Sequence, residues 1–90
     1  MLEIVVSNQF KKDLRLAQKR GCKMDRLREV VNTLASGNKL AAEHRDHSLT
    51  GNYRDFRECH IEPDWLLVYR INEKELELFL FRTGSHADLF

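Results

Sequence analysis

The chain has 90 residues, 42% hydrophobic and 32% charged, with one Pro and four Gly. That length holds one domain, spanning residues 1–90, around a single core. The composition excludes collagen-like, low-complexity and wholly disordered chains, and no apolar run reaches the ~20 residues of a membrane span. Net charge is only +1, but residues 11–28 hold eight basic residues against two acidic ones, and the rest of the chain is acidic. Such a block is either a solvated helix face or an electrostatic footprint for nucleic acid. The N-terminus MLEIVV has no basic n-region or cleavage site, and two cysteines are too few for a disulfide framework. The expected location is therefore the cytoplasm.

In chain order, residues 2–6 (LEIVV) are β-branched and apolar and read as a strand. Ser7 or Asn8 can cap a helix whose buried stripe is Phe10, Leu14 and Ala17, and Gly21 ends it. Asp25 is a candidate cap for a second helix with Leu27, Val30, Val31 and Leu34 on one face, stopped by Gly37. The two should form an antiparallel hairpin on a sheet. Residues 38–52 lack a period, and a loop of that length in so small a domain points to function or mobility. Tyr53–Ile61 reads as a strand, Glu62-Pro63-Asp64 as a turn and Trp65–Ile71 as a buried central strand. After a turn at Asn72–Lys74, Leu76, Leu78 and Leu80 alternate with Glu77, Phe79 and Phe81. The strand ends at Thr83-Gly84, and SHADLF is a tail. The order β-α-α-β-β-β makes an α+β fold, with a helical hairpin on one face of a mainly antiparallel four-stranded sheet. The other face stays open for binding.

His60, Asp64, Arg82 and His86 fall close to strand ends, which adjacent antiparallel strands can bring together, and His44 and His47 sit in the long loop. Taken singly, each is an ordinary surface residue, Arg82 an ion-pair partner for Glu77 or Asp88, and Trp65 a core residue. Taken together they suit cleavage of RNA by its own 2′-OH, which needs a base, an acid and a cation on the phosphorane. Imidazoles serve as acid and base near neutral pH, and a guanidinium matches the phosphate oxygens. No cofactor or metal is required. His44-x-x-His47 is a weak zinc pattern without suitably spaced Cys. Cys59 precedes His60 on a strand, so their side chains face opposite ways, and both Cys read as small apolar residues.

DHSLTG (46–51), HIEPDWLLVYRI (60–71), FRTGSHADLF (81–90) and LAQKRGCKM (16–24) resemble the YafQ branch of the RelE/ParE toxin superfamily. The resemblance implies a RelE-like fold and a toxin of a type II toxin–antitoxin module. It further implies an mRNA interferase, an endoribonuclease that enters the ribosomal A site and cuts the mRNA there. The matching site positions are His47, His60, Asp64, Trp65, Arg82, His86 and Phe90. On that basis His86 is the expected general acid. His60 or Asp64 lies on the base side, with Asp64 as an alternative orienting group. His47 completes the network, held by Asp46, and Arg82 stabilises the phosphorane. Trp65 and Phe90 are expected to stack on a base. Lys11, Lys12, Arg15, Lys19 and Arg20 are expected on ribosomal RNA phosphates, positioning without reading sequence. The implied partners are the ribosome with its A-site mRNA and a cognate antitoxin. The competing expectation is a non-catalytic, ParE-like inhibitor of DNA gyrase, which would have no use for an acid–base set.

Overall fold

The computed structural model describes all 90 residues. Strand β1 (Glu3–Val6) leads into helix α1 (Asn8–Lys19) and helix α2 (Met24–Ala35). After a long connection come β2 (His47–Ser48), β3 (Arg57–Glu62), β4 (Trp65–Asn72), β5 (Glu77–Gly84) and a final turn of helix, α3 (His86–Leu89). The strands form one sheet in the order β1-β5-β4-β3-β2. Only β1 and β5 run parallel; the other pairs are antiparallel.

Local chemistry sets the helix ends. Ser7 is the cap of α1: its Oγ accepts the Phe10 N–H at 2.9 Å and donates to the Phe81 carbonyl at 2.6 Å. One hydroxyl thus ends a helix and ties it to β5. Gly21 and Gly37 take φ of +78° and +79°. Each closes a Schellman turn, with Cys22 N–H on Ala17 O and Asn38 N–H on Thr33 O. Asp25 is not a cap. The cap position of α2 is Lys23, and Asp25 lies in the first turn, bonded to Arg28 at 2.8 Å.

The core lies between the helices and one face of the sheet, with α1 over β5 and α2 over β3. Phe10, Ala17, Leu27, Val30, Val31 and Leu34 meet Cys59, Ile61, Leu67, Tyr69, Leu78 and Leu80 there. Leu66 and Val68 alternate to the opposite face and are buried as well. That face is roofed by its own side chains: Phe56 stacks on Phe81 at 4.6 Å between centroids, with Tyr53, Phe79 and Phe90 around them.

Besides the Asp25 cap, and the tail that forms α3, three further expectations change. The sheet has five strands rather than four, because His47–Ser48 pairs with Arg57 and Glu58; a two-residue strand is too short to show a period. The stretch from Tyr53 enters the sheet only at Arg57, after a 3-10 turn at Gly51–Tyr53. Leu76 is outside β5, 60% exposed with φ +54°, so the strand's buried stripe is Leu78 and Leu80 alone.

Candidate active site

Sheet register builds the site. His47 lies opposite Glu58, Glu58 opposite Val68, and Val68 opposite Arg82. These four form one row across β2, β3, β4 and β5, and directly opposed residues share a face. The next row joins His60, Leu66 and Gly84, and the chain then turns into α3 with His86 at its start. Arg82 owes its place in the first row to a β-bulge. Val68 pairs with Arg82 but Tyr69 with Leu80, so Phe81 is the extra residue. The bulge shifts the alternation by one, turning Thr83 to the core side and Arg82 away from it.

The imidazoles are held by one nitrogen each. His86 Nδ1–H donates to Asp64 Oδ1 at 2.9 Å, and the same oxygen accepts the His86 backbone N–H at 3.2 Å. His60 Nδ1–H donates to the Pro63 carbonyl at 3.2 Å, and His47 Nδ1–H to the Arg45 carbonyl at 2.7 Å. A carbonyl can only accept, so it fixes the proton on Nδ1 and leaves Nε2 for chemistry. The His60 and His86 rings are 5.6 Å apart. Glu58, 5% exposed, reaches into the same place: one donor atom from each of Glu58, His60 and His86 lies within 4.8 Å of the others. Its Oε1 is also 3.7 Å from His47 Nε2. The result is a chain of acid–base groups running from His47 through Glu58 and His60 to His86 and Asp64. The bonds from His86 draw the Asp64 carboxyl below its ordinary range.

Arg82 stands at the β5 end of the first row. Its Nε donates to Asp13 Oδ2 at 2.8 Å and its Nη2 to Asp13 Oδ1 at 3.1 Å. Asp13 also accepts the Thr83 N–H, in the stretch of β5 that β1 no longer covers. Burial pushes the Asp13 carboxyl up, but bonds from Arg82, Gln9 and Thr83 outweigh it and hold the group below its ordinary range. The partner of Arg82 is thus Asp13, and neither Glu77 nor Asp88. Three of its five N–H groups remain unused by Asp13.

Trp65 is not a stacking platform. It is 5% exposed, belongs to the core, and donates from Nε1 to Thr83 Oγ1 at 2.9 Å. Phe90 is 62% exposed and stands edge-on to Tyr53 at 6.2 Å. Asp46 does not hold His47. It accepts from Tyr69 Oη at 2.6 Å and Arg57 Nε at 3.2 Å, anchoring the loop just before the histidine. The zinc pattern does not assemble either, since His44 Nδ1–H donates to the His60 carbonyl at 2.6 Å. The donors that converge as a metal would need are Glu58, His60 and His86, an N/O set that suits transition ions. Cys59 is fully buried and its thiol is pushed up to about 12 by burial, which leaves it inert. Of the basic block, Lys11, Lys12, Arg15 and Lys19 are exposed on α1. Arg20 is paired with Asp88 at 2.6 Å.

Glu58 is the residue that sequence reasoning missed. A lone Glu in an alternating strand looks like an ordinary exposed position, and only the register with His47 and Arg82 marks it.

Residues 2–90 match the family described as bacterial toxin of type II toxin-antitoxin system, YafQ. The chain is 40% identical to the mRNA interferase toxin YafQ of Escherichia coli K12, over 98% of this chain and 95% of that protein. A metal-bound toxin from Helicobacter pylori superposes with a TM-score of 0.94 at 49% identity, covering 100% of both chains. The toxin in the Escherichia coli DinJ-YafQ complex gives 0.91 at 40% identity, covering 100% of this chain and 99% of that one. The chain belongs to the YafQ family of type II toxins, and its α+β architecture is that of the solved YafQ structures.

Proposed function

We propose that this YafQ-family toxin is a ribosome-dependent endoribonuclease that cuts mRNA in the A site by attack of the 2′-OH on the adjacent phosphorus. The observation that carries the reading is the convergence of Glu58, His60 and His86, with their donor atoms within 4.8 Å of one another. An mRNA interferase is also what the Escherichia coli relative is named. In the reaction the bond from 2′-O to phosphorus forms and the bond from phosphorus to 5′-O breaks. The 2′-OH proton goes to a base, and the leaving oxygen takes one from an acid, giving a cyclic phosphate and a 5′-OH.

His86 suits the acid. Asp64 orients its Nδ1–H and stabilises the imidazolium, while Nε2–H points away to donate. Because Asp64 Oδ1 is occupied twice by His86, Asp64 suits orientation better than proton abstraction. His60, with Nε2 free and Glu58 beside it, suits the base, and His47 extends the network through Glu58. The free N–H groups of Arg82 suit the developing phosphorane charge. Phe90, exposed beside the aromatic roof, suits a base stack worth ~1–3 kcal/mol. Lys11, Lys12, Arg15 and Lys19 offer phosphate contacts to ribosomal RNA, and the ribosome supplies specificity by presenting the codon. A cognate antitoxin is the second partner, as in the DinJ-YafQ complex. A metal ion held by Glu58, His60 and His86 would occupy ring nitrogens that proton transfer requires; a Helicobacter pylori relative is described as a metal-bound toxin.

The test is cleavage of a defined mRNA with and without programmed ribosomes, with both new ends mapped. Ribosome-dependent cuts in the A-site codon with a cyclic or 3′-phosphate and a 5′-OH are expected. Folded protein that cuts in neither case, and that blocks gyrase supercoiling, would replace this reading with the ParE-like one.

A further inference from the structure

Helix α3 carries His86, and its own sequence holds it only through a local capping box. It is a single turn of four residues with none buried, and so short a helix has no stability of its own because nucleation is unfavourable. Contacts from Asp64 and Arg20, outside the helix, add to that box. Asp64 accepts both N–H groups of His86. Ser85 and Asp88 close a capping box, with Ser85 N–H on Asp88 Oδ2 at 2.9 Å. Arg20, which ends α1, grips the same carboxylate from far away in sequence: Nη1 to Oδ2 at 2.6 Å and Nη2 to Oδ1 at 3.3 Å. Gly84 completes the fit, since a Cβ there would stand 2.9 Å from Asp88 Cβ.

We propose that the Arg20–Asp88 pair is a latch for α3, which makes Arg20 a positioning residue that sets His86 against Asp64. The inference rests on reading His86 as the acid. It separates Arg20 from Lys11, Lys12, Arg15 and Lys19, whose charges stay free. A two-bond guanidinium–carboxylate fork fixes direction as well as distance. The Arg20 side chain is 48% exposed, and an isolated pair of that kind adds little to global stability. Its effect is local. A terminal turn opens and closes independently of the core, so a small bias changes by several-fold the fraction of molecules with His86 on Asp64.

The test uses Arg20→Gln, Asp88→Asn and the double variant. The Asp88→Asn change keeps a side-chain oxygen for the Ser85 N–H and removes the charge that Arg20 pairs with. A several-fold drop in kcat is expected, equal in the two single variants and no larger in the double, with KM for ribosome-bound message unchanged. Arg20→Lys keeps a charge and a donor and should recover part of the rate. An Arg20 that touched RNA would behave differently: Arg20→Gln would raise KM, and Asp88→Asn, by freeing the guanidinium, would leave KM equal or lower. That pattern overturns the latch. Hydrogen exchange keeps the test independent of catalysis. The amides of Asp88, Leu89 and Phe90, bonded to the Ser85 and His86 carbonyls, should exchange several-fold faster in both single variants. Unchanged exchange overturns the latch. Faster exchange in a toxin that cuts nothing supports the latch and removes only the reading of His86 as acid.

Discussion

The two faces of the sheet are made by the same strands and obey different rules. On the helix-covered face, Cys59, Ile61, Leu67, Leu78 and Leu80 pack against two amphipathic helices. Any apolar side chain of similar volume would serve there. On the open face, Glu58, His60 and Arg82 stand beside a patch of aromatic rings, where identity and direction matter more than volume. Arg70 lies over the Phe56 and Phe79 rings at 5.1 and 5.4 Å, so even the apolar part of that face has a cation on it. One step along β3, from Cys59 to His60, moves from one regime to the other. The contrast teaches that stability and chemistry are interleaved residue by residue here.

Breaking the covered face should have the largest effect. Leu78→Ala, at a fully buried position, is expected to lose about 2–5 kcal/mol of stability. Denaturant unfolding measures it, and cleavage should fall only with the folded fraction. The open face should respond the other way round. His86→Ala is expected to lower the cleavage rate by roughly 10²-fold or more with its unfolding midpoint almost unmoved. A large loss of stability, or an unchanged rate, would remove the acid role.

Asp13 sharpens the comparison because it ties the faces together, from α1 to Arg82. Its carboxyl lies below its ordinary range when folded. A group of that kind contributes stability above its unfolded value of about 3.9, which is lost as pH falls through the lower, folded value. Wild type should therefore exceed Asp13→Asn in stability at neutral pH, with the gap closing in acid below pH ~4. Urea titrations at several pH values check this; a gap that persists in acid would mean that packing and not charge is responsible. The smallest effect on the intact fold belongs to the exposed cations. Replacing Lys11, Lys12, Arg15 and Lys19 with Glu should leave unfolding within about 0.5 kcal/mol per site. It should weaken ribosome association and flatten its salt dependence.

Much of the fold was legible from single residues. Phe10 and Ala17, and Leu27 through Leu34, announce helices by spacing, and Gly21 and Gly37 end them at the positions where φ is positive. The turn at Pro63 and the strand after it were equally plain. Trp65 was not, because its partner Thr83 is 18 positions away and reaches the core side only through the bulge at Phe81. Arg82 reads from the sequence as an ion-pair partner for Glu77 or Asp88, whereas its partner is Asp13, 69 positions away. Arg20 read as one more cation in a basic run. In each case the missing information was a partner on another element, which no local pattern encodes.

By itself, then, the sequence determined the two long helices, the main strands, most of their buried stripes and the ionisable residue types on offer, because these depend on spacing and chemistry along the chain. The tertiary structure alone decided which of those residues meet. Strand register set His47, Glu58 and Arg82 in one row, a single bulge turned Arg82 into it, and Arg20 closed on Asp88. Register and bulges are settled by the packing of the whole sheet, where one residue of slip exchanges the two faces.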